Sequence, residues 1–481
     1  MKRWITALVV VMLVFAGGAR QSIAAPGREN PSPDCTYTMS LAGSTPTAGS
    51  PGRANLTGTP GEDVGAFVNG ILGSRETLCF DPGNYVLSTE IYVHNVLDVT
   101  LWLFPGAKMT TALPIRLLHV IGSADTLVHG GRWSGSGAGT LPDIEVDVGS
   151  SNTTIEDAEV SHAGLDGILV DSDIKPNFDV SVLNDTLLDN GRFGVQYYSS
   201  GVAVPLGALV SGILAENNGA GGVYTERAAD VTVSDDVVEN TAAGGGTGAI
   251  GIGVALGSND TVTQNRVSGM TEYGIQAYFN NGTTITDNVS VHNAGGSDQS
   301  GITNDHSFHD VISGNTVDSN GRDGIYVGRS SFVTVSDNVA EDNAHYGIEF
   351  YHGALASLRN DTVEGNLCSS NLLGGIIFNS VSDSTVYRNT CLDNSGPGIL
   401  LYNDPGQAGS THDVVSHNTS GDDRLSGRTQ TYGIAEMNQA NFDEIAFNLA
   451  CNNTVADLET VGSSTTTAGN SDCRFGGSPL G

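Results

Sequence analysis

The residues best suited to acid, base and electrostatic chemistry are concentrated in one stretch of this sequence. The catalytic candidates are Asp305, His306, Arg329, Glu349, Tyr351 and His352. Each follows a Gly-Ile pair by a few residues, and the three pairs begin at Gly301, Gly324 and Gly347, 23 residues apart. Equivalent residues of a repeat come to lie on one face when the repeats stack. We therefore expect these side chains to be neighbours in space.

These residue types fit the removal of a proton from C5 of a uronic acid. That reaction needs a cation beside the substrate carboxylate, a base for the proton, and an acid for the leaving oxygen or the opposite face. Arg329 is the candidate cation. His306 or His352 is the candidate base, and Tyr351 or Tyr326 is the candidate acid.

A second chemistry, hydrolysis of a glycosidic bond, requires two carboxylates that flank the bond. Asp305 and Glu349 are two repeats apart, which corresponds to roughly 9 to 10 Å at the spacing of stacked strands. This separation is near the upper end of the range for hydrolysis with inversion. The residues alone leave both chemistries open.

Short strands joined by tight turns must position these side chains. Valine and isoleucine alternate with polar residues in short segments that are bounded by Asn and Gly, which predicts strands joined by turns. Further Gly-Ile or Gly-Val pairs begin at Gly167, Gly194, Gly222, Gly253, Gly274, Gly375, Gly398 and Gly433. A repeat of this length built from strands predicts an all-β fold, a right-handed parallel β-helix solenoid.

Side chains alternate between the two faces of a strand, so the first and third residues after each glycine point inward and the second and fourth point outward. The outward candidates for substrate binding are Tyr278, Thr303, Tyr326 and Tyr402. Asn304 holds an inward position. Because a buried unpaired amide costs on the order of 1 to 3 kcal/mol, we expect Asn304 to be hydrogen-bonded and structural.

Other residues recur at structural positions of the repeat. One turn position is filled by Asn265, Asn288, Asn315, Asn338, Asn389 and Asn418. Asparagine tolerates left-handed backbone, and stacked amides can bond from repeat to repeat. Cys368 and Cys391 are also one repeat apart, which allows either a disulfide or two buried thiols. Six cysteines in an exported chain permit up to three disulfides.

The two ends of the chain differ from the repeats. Lys2-Arg3, an apolar run and Ser22-Ile-Ala predict a signal peptide over residues 1–24. Residues 25–60 predict a linker or N-terminal arm, residues 61–455 the β-helix, and residues 456–481 a C-terminal tail. Apolar residues on one helical face between Asp63 and Leu72 predict a short helix. Such a helix would cap the open N-terminal end of the solenoid.

The composition is strongly acidic, with 53 Asp and Glu against 20 Lys and Arg and a formal net charge of −33. This charge disfavours nucleic acid as a partner. It also repels an acidic polysaccharide unless a local group of cations or bound Ca2+ offsets it. No Cys or His pattern at zinc spacing occurs. No metal ligand is assigned and no cofactor is predicted, although the acidic composition would accommodate Ca2+.

The sequence resembles the pectin-lyase-like superfamily of right-handed parallel β-helix proteins. The resemblance rests on the predicted helix, the Phe80-Asp-Pro-Gly-Asn-Tyr85 segment and the rungs with Asn turns and Gly-Ile pairs. It covers most of the exported chain. Members of that superfamily include polysaccharide lyases, glycoside hydrolases, mannuronan epimerases, phage tailspikes and non-catalytic surface proteins. The resemblance therefore implies the fold but no single activity.

A local resemblance concerns the mannuronan epimerases, whose signature is Tyr-Gly-Phe-Asp-Pro-His. The segment Tyr346-Gly-Ile-Glu-Phe-Tyr-His352 is similar to it. Glu349 stands at the Asp position and Tyr351 at the His position, and His352 follows one residue later. The resemblance implies a catalytic role for this strand.

Three functional hypotheses follow. The leading one is an exported, carbohydrate-active enzyme, secreted or periplasmic, that acts on an acidic polysaccharide as a lyase or epimerase. The first alternative is a non-catalytic surface or matrix protein that binds glycans. The second is a glycoside hydrolase that uses Asp305 and Glu349. No segment is expected to insert into a membrane after cleavage of the signal peptide, and the sequence indicates no oligomeric state.

Overall fold

The computed structural model describes residues 33–51, 54–201, 204–240, 248–294, 300–351, 359–404, 410–472 and 479–480. The chain divides into residues 1–34 and residues 35–481, and all described secondary structure belongs to the second unit. The predicted signal peptide lies outside the described residues. Within them, no helix is long and apolar enough to cross a lipid bilayer.

Residues 35–481 form a right-handed parallel β-helix, which confirms the predicted fold. A typical coil contributes one strand to each of three walls, and parallel pairing joins each strand to its equivalents in neighbouring coils. Wall 1 is a sheet of 15 strands within the described part of the chain. Its strands are Ile91–His94, Leu118–Ile121, Ile144–Asp147, Ile168–Asp171, Phe193–Tyr198, Gly221–Glu226, Ile250–Ala255, Ile275–Tyr278, Ile302–Asp305, Ile325–Gly328, Tyr346–Tyr351, Gly374–Asn379, Ile399–Tyr402, Tyr432–Glu436 and Ala456–Glu459.

Wall 2 follows wall 1 along each coil. Its strands are Ser151–Glu156, Phe178–Leu183, Leu209–Ser211, Thr232–Ser234, Thr261–Thr263, Thr284–Thr286, Val311–Ser313, Thr334–Ser336, Thr362–Glu364, Thr385–Tyr387, Val414–Ser416, Glu444–Ala446 and Thr466–Ala468. Wall 3 comes next, after a short turn. Its strands are Glu159–Ser161, Thr186–Leu188, Leu214–Glu216, Val237–Glu239, Arg266–Ser268, Val289–Val291, Thr316–Asp318, Val339–Glu341, Leu367–Ser369, Thr390–Leu392, Thr419–Gly421, Leu449–Cys451 and Asn470–Asp472.

The N-terminal coils depart from this pattern. Leu97–Thr110 and Ala124–Ser134 are long strands, and the second pairs with strands of both wall 2 and wall 3. The strands before them are Tyr37–Ala42, Thr45–Gly49, Leu56–Thr57, Thr77–Phe80 and Gly83–Val86. The prediction of a linker over residues 25–60 missed the first three. Tyr37, Met39 and Leu41 do alternate with polar residues in the first strand, but the other two strands are short and rich in Thr, Ala and Gly. Parallel pairing joins Tyr37–Ala42 to Thr77–Phe80.

The predicted capping helix is present as Val64–Ile71. The Asp63 carboxylate accepts a hydrogen bond from the backbone N–H of Ala66 at 3.0 Å and caps the helix. Phe67 and Val68 are buried, so the apolar face of the helix continues the core at the first coil. An exposed first coil is thereby avoided.

At the C-terminal end, strands continue beyond residue 455, where the sequence predicts a tail. Ala456–Glu459, Thr466–Ala468 and Asn470–Asp472 extend the three walls by parallel pairing. Pro479–Leu480 pairs antiparallel with Asn470–Asp472. A separate two-stranded sheet joins Val204–Pro205 and Ala228–Ala229.

Inward columns of aliphatic side chains form the core. Ile302, Ile325 and Ile348 pair in register on wall 1 and have no exposed surface. Full burial of such a side chain is worth about 1.5 to 3 kcal/mol. Because this contribution repeats in every coil, the hydrophobic core fixes which face of each strand points outward.

Asparagine amides form a ladder at the turn between walls 2 and 3. The Asn315 side chain donates to Oδ1 of Asn338 at 2.9 Å, and the Asn338 side chain donates to Oδ1 of Asn366 at 3.0 Å. Similar bonds run from Asn265 to Asn470. The expected left-handed backbone is wrong for these residues: the preceding residue adopts it, as at Asp337 with φ 55°. The asparagine comes directly after this left-handed residue, and its side-chain amide points along the axis of the β-helix to the next coil.

The cysteines differ in whether they form disulfides. Cys35 and Cys79 form a disulfide that ties the N-terminal strand to the next coil. Cys368 and Cys391 pair in register on wall 3 and are free, fully buried thiols, the second of the two predicted alternatives. Cys451 is disulfide-bonded, and Cys473 lies outside the described residues.

The asparagine ladder can be tested by the change Asn338→Ala. The change removes the acceptor of the Asn315 amide and the donor to the backbone carbonyl of Ile312. Each buried group left unpaired costs about 1 to 3 kcal/mol, so we expect a clear fall in the thermal transition measured by circular dichroism. Asn55→Ala, at an exposed position, is the control. An equal transition for the two variants would contradict the structural role of the ladder.

Candidate functional site

Three neighbouring strands of wall 1 carry the candidate residues. In register, Asp305 pairs with Gly328 and Gly328 with Tyr351, and Thr303 pairs with Tyr326 and Tyr326 with Glu349. The outward face of these strands thus has two columns of polar and aromatic side chains. Successive members of each column are about 4.8 Å apart.

Asp305, His306 and Arg329 lie together where these strands end. The Oδ2 atom of Asp305 is 3.0 Å from Nδ1 of His306, without hydrogen-bond geometry. A guanidinium nitrogen of Arg329 is 3.5 Å from Nε2 of His306. Because arginine only donates, this contact fits an imidazole whose Nε2 carries no proton. The His306 ring also stacks on Phe279, with centroids 4.4 Å apart.

Tyr326 lies over Gly328, which has no side chain to displace it. A Cβ atom at residue 328 would be 2.5 Å from Cε1 of Tyr326, 2.8 Å from its hydroxyl oxygen and 2.7 Å from Oδ1 of Asp305. The Arg322 guanidinium lies over the Tyr326 ring, 5.1 Å from its centroid. Tyr326 therefore connects the Asp305 group to a second group of charged residues.

This second group consists of Arg322, Asp323, His345 and Glu349. Nδ1 of His345 is 2.7 Å from the fully buried carboxylate of Asp323 and 3.6 Å from Glu349. Arg322 is 3.3 Å from Asp323 and 3.5 Å from Glu349. Two cations and two carboxylates thus neutralise each other on an otherwise acidic protein.

The environment shifts the pKa of three of these side chains. Burial lowers the pKa of His345, but hydrogen bonds and charges from Asp323 and Glu349 outweigh it and raise the value to about 9. Burial, followed by the charge of Asp323, raises the pKa of Glu349 despite the opposing effect of His345 and Arg322. Burial and the charges of Asp305 and Glu349 raise the pKa of Tyr326 well above its usual value. At neutral pH His345 is a cation and Tyr326 a protonated phenol.

Asp323, His345 and Glu349 are close enough to surround a metal ion. However, the nitrogen that faces both carboxylates, Nδ1 of His345, already hydrogen-bonds to Asp323. A protonated nitrogen is not a ligand. We therefore interpret the group as an ion-pair network.

A related network occurs on an earlier coil of wall 1. There, Arg192 donates to the buried Asp166 at 2.9 Å and also to Gln196. In both networks the buried Asp accepts a hydrogen bond from a backbone N–H of the next coil, from Phe193 or from Tyr346. The buried Asp in each network thus also helps to join two adjacent coils. The later network differs in having a titratable histidine and a second carboxylate.

The other predicted site residues have separate places. Thr303 is buried and, within the described residues, its hydroxyl has no hydrogen-bond partner. The Tyr278 ring packs edge-on against His306, with centroids 5.8 Å apart. Tyr351 ends its strand beside Gly328. His352 lies outside the described residues.

Tyr402 does not join either group of charged residues. It packs, with Tyr346, Tyr432 and Met437, against Ile377, Leu400 and Ala435 on the outward face of wall 1. This apolar cluster lies on the C-terminal side of Glu349, whose register partner is Ile377. Tyr402 is thus several coils from Asp305.

The inward amide of Asn304 donates to the carboxylate of Asp310 at 2.6 Å. Burial raises the pKa of Asp310 to about 6, against the lowering effect of its hydrogen bonds to Thr283, Asn304 and Gly282. Asp310 also accepts from the backbone N–H of Thr283 on the preceding coil. Asn304 therefore links the strand that bears Asp305 to the following turn.

Sequence reasoning missed Arg322, Asp323 and the role of His345. These residues precede the glycine of each repeat, whereas the prediction considered only the residues after it. A signal was present, because Arg322-Asp323 and His345-Tyr346 precede consecutive Gly-Ile pairs. That signal becomes interpretable only when the hydrogen bond of Gly324 to Tyr346 shows that the two segments are adjacent.

Comparison with known proteins agrees with this architecture. A family described as a right handed beta helix region matches residues 144–309 and 246–370. The chain is a right-handed parallel β-helix protein. No curated protein matches the sequence.

Similar solved structures include two epimerases and a tailspike. The A-module of the mannuronan C-5 epimerase AlgE4 of Azotobacter vinelandii is 15% identical, with 84% of this chain and 96% of that chain covered and a TM-score of 0.38. A double mutant of the periplasmic alginate epimerase AlgG is 12% identical, with 82% and 84% covered and a TM-score of 0.41. The Dettilon tailspike protein is 14% identical, with 80% of this chain but only 62% of the tailspike covered, and a TM-score of 0.39. These similarities concern the fold alone.

The His345 network predicts a dependence of stability on pH. Because the pKa of His345 is raised from 6.5 to about 9 in the folded protein, its contribution is fully present below pH 6.5 and is lost as the pH rises through about 9. The wild-type protein should therefore exceed His345→Gln in thermal transition at pH 6 by more than at pH 10. His412→Gln, where the ring is exposed and stacks on Phe442, is the control. A difference independent of pH would show that His345 is not held as a cation.

Proposed function

We propose that this protein is an exported, carbohydrate-active enzyme that removes the C5 proton of a uronic acid in an acidic polysaccharide, as a lyase or an epimerase. The observation that carries the proposal is the position of Tyr326. This phenol lies under a guanidinium and beside Asp305, and its raised pKa keeps it protonated. A protonated phenol at this position is a proton donor, which both reactions require.

The cations support binding of an acidic substrate. Arg322 and Arg329 both influence Tyr326 electrostatically, and His345 adds a third positive charge beside them. On a chain with a formal net charge of −33, this local balance removes the repulsion that a polyuronate would otherwise meet. A uronate carboxylate would bind Arg329 in a charge-assisted pair.

Binding of the carboxylate to Arg329 would also prepare the base. In the free protein the Arg329 guanidinium faces Nε2 of His306. When a substrate carboxylate binds the Arg329 guanidinium in place of His306, the lone pair of Nε2 becomes free to accept a proton. Asp305, 3.0 Å from Nδ1, then stabilises the imidazolium that forms.

The two reactions share their first step and differ in the second. His306 takes the proton from C5, and the electron pair of the broken C–H bond remains on the substrate next to its carboxylate. In a lyase this pair forms the C4–C5 double bond, the C4–O bond breaks, and Tyr326 protonates the leaving oxygen. In an epimerase Tyr326 instead returns a proton to C5 from the opposite face.

One observation favours a second candidate, a glycoside hydrolase. Glu349 is nearly buried and its pKa is raised, chiefly by burial, as a general acid requires. Asp305 is two strands away in the neighbouring outward column, where it would act as the base. The ion pairs of Glu349 with His345 and Arg322 weigh against this role because they favour the ionised carboxylate.

A panel of polysaccharides separates these functions. We expect the purified protein to act on alginate or pectate and not on neutral glucans. A lyase would produce unsaturated ends that absorb ultraviolet light, and an epimerase would change the uronate composition by NMR without such ends. Reducing ends without ultraviolet absorption would identify the hydrolase instead. Binding to these polymers without any turnover would contradict the enzyme proposal and favour a glycan-binding surface protein.

The role of Tyr326 is tested by Tyr326→Phe. Loss of a general acid reduces turnover by about 100- to 10,000-fold, and we expect this loss in kcat with little change in the thermal transition. Tyr387→Phe on wall 2 is a matched control, because an arginine, Arg388, also lies over that ring, 4.6 Å from its centroid. Activity within twofold of wild type in Tyr326→Phe would eliminate the phenol as the proton donor.

A further inference from the structure

A second group of polar residues lies near the N-terminal end of wall 1. His119 lies on strand Leu118–Ile121, and Glu145 and Asp147 lie on the adjacent strand Ile144–Asp147. Nε2 of His119 is 3.9 Å from Oε2 of Glu145 and 3.8 Å from Oδ2 of Asp147. One nitrogen and two carboxylate oxygens thus converge on one point, all within 4.8 Å of one another.

The histidine nitrogen at this point lacks a partner. His119 is only 9% exposed, and within the described part of the chain its Nε2 atom is buried without a hydrogen bond. The distances to Glu145 and Asp147 are too long for hydrogen bonds, which are 2.7 to about 3.2 Å. A buried unsatisfied nitrogen that faces two carboxylates requires a physical explanation.

Surrounding residues hold this group in place. Glu90 faces the other ring nitrogen, with Oε2 3.9 Å from Nδ1 of His119. The hydroxyl of Tyr92 donates to the second oxygen of Glu90 at 2.5 Å. Arg116 donates to Glu145 and is 3.6 Å from Glu90. At 3.9 Å Glu90 is not hydrogen-bonded to His119, but a carboxylate on this side of the ring lies where the orienting partner of a metal-binding histidine is found.

We propose that His119, Glu145 and Asp147 bind a divalent transition-metal ion of the zinc type, with Glu90 as the carboxylate that orients His119. Ligands about 2.0 to 2.2 Å from a tetrahedral zinc are about 3.3 Å apart, so the two carboxylate oxygens need to approach Nε2 of His119 by roughly half an ångström. An imidazole nitrogen in the ligand set favours zinc, copper, iron or nickel over Ca2+. Three carboxylates against one guanidinium leave a negative charge for the ion to neutralise.

Two other groups of this composition occur among the described residues, and neither has an unpaired nitrogen that faces its carboxylates. Nδ1 of His345 hydrogen-bonds to Asp323 at 2.7 Å, and Nδ1 of His129 is 3.1 Å from Glu156. In both, the nitrogen that faces the carboxylates is already used. His129 also stacks on Trp102, and its second carboxylate, Asp157, is about half exposed. The His119 group is therefore the best prepared of the three.

A metal ion here would clamp the first coils. It would join two adjacent strands of wall 1 close to the capping helix, where fewer coils support each strand. Six strand positions separate the strand of Glu145 from that of Asp305 along wall 1, which is about 29 Å at the usual strand spacing. The clamp is thus independent of the chemistry proposed for Tyr326 and His306.

The test uses the full secreted chain without a histidine tag, stripped of metals with a chelating resin. Isothermal titration with Zn2+ should show one ion per chain, and Co2+ should produce visible absorption bands of a site with nitrogen and oxygen ligands. Zn2+ should also raise the thermal transition by several degrees. His119→Ala should abolish all three effects, and Glu90→Gln should weaken Zn2+ binding by about 10- to 100-fold.

The control is His129→Ala, which alters a group of the same composition and should keep wild-type affinity for Zn2+. Asp147→Asn, at a half-buried position, tests the site independently if His119→Ala does not fold. Absence of Zn2+ binding by the wild-type chain would overturn the proposal, as would unchanged stoichiometry in both His119→Ala and Asp147→Asn. Tight binding of Ca2+ in place of Zn2+ would overturn the assignment of the metal class.

Discussion

The register between successive coils is the constraint on which the rest of the structure depends. Backbone hydrogen bonds between parallel strands fix each residue beside its equivalent in the next coil. The asparagine ladder adds side-chain amides to the same pattern, and each ladder amide also donates to a backbone carbonyl, as Asn338 does to Ile312. A slip by one residue would expose the isoleucine columns and bury the polar ones. The candidate site therefore exists only as a consequence of this register.

Several of the acidic side chains are buried, and their burial changes the net charge that the composition implies. Burial raises the pKa of Asp143, Asp260 and Asp443 to about 8. Asp185 and Asp236 are more deeply buried, and burial raises their pKa values well above the usual range. These carboxyls accept hydrogen bonds from backbone N–H groups of an adjacent coil, as Asp185 does from Ala158 and Asp236 from Ile213. The formal charge of −33 therefore overstates the negative charge at neutral pH.

Wall 1 gathers the chemically capable residues because its strands are longer than most of those in the other walls and its outward columns continue in register from coil to coil. The column through Tyr326 and Glu349 contains His119 and Glu145 at the N-terminal end and Ile377 and Leu400 at the C-terminal end. Walls 2 and 3 have strands of mostly three residues that alternate around a single buried side chain. Their short strands leave less room for a constellation of side chains. The same wall thus holds a charged group, an apolar cluster and the proposed metal site on different coils.

The sequence by itself determined the architecture, the capping helix and the columns that contain Asp305, Tyr326 and Glu349. A repeat with regular Gly-Ile and Asn positions specifies these features locally, because strand alternation and the spacing of coils follow from backbone geometry. Only the tertiary structure decided that His345 hydrogen-bonds to Asp323 of the preceding coil as well as lying 3.6 Å from Glu349 of its own coil. It also decided that Gly328 leaves space for Tyr326, and that Nε2 of His119 has no hydrogen-bond partner among the described residues. These features depend on rotamers and contacts between coils, which the repeat pattern does not encode.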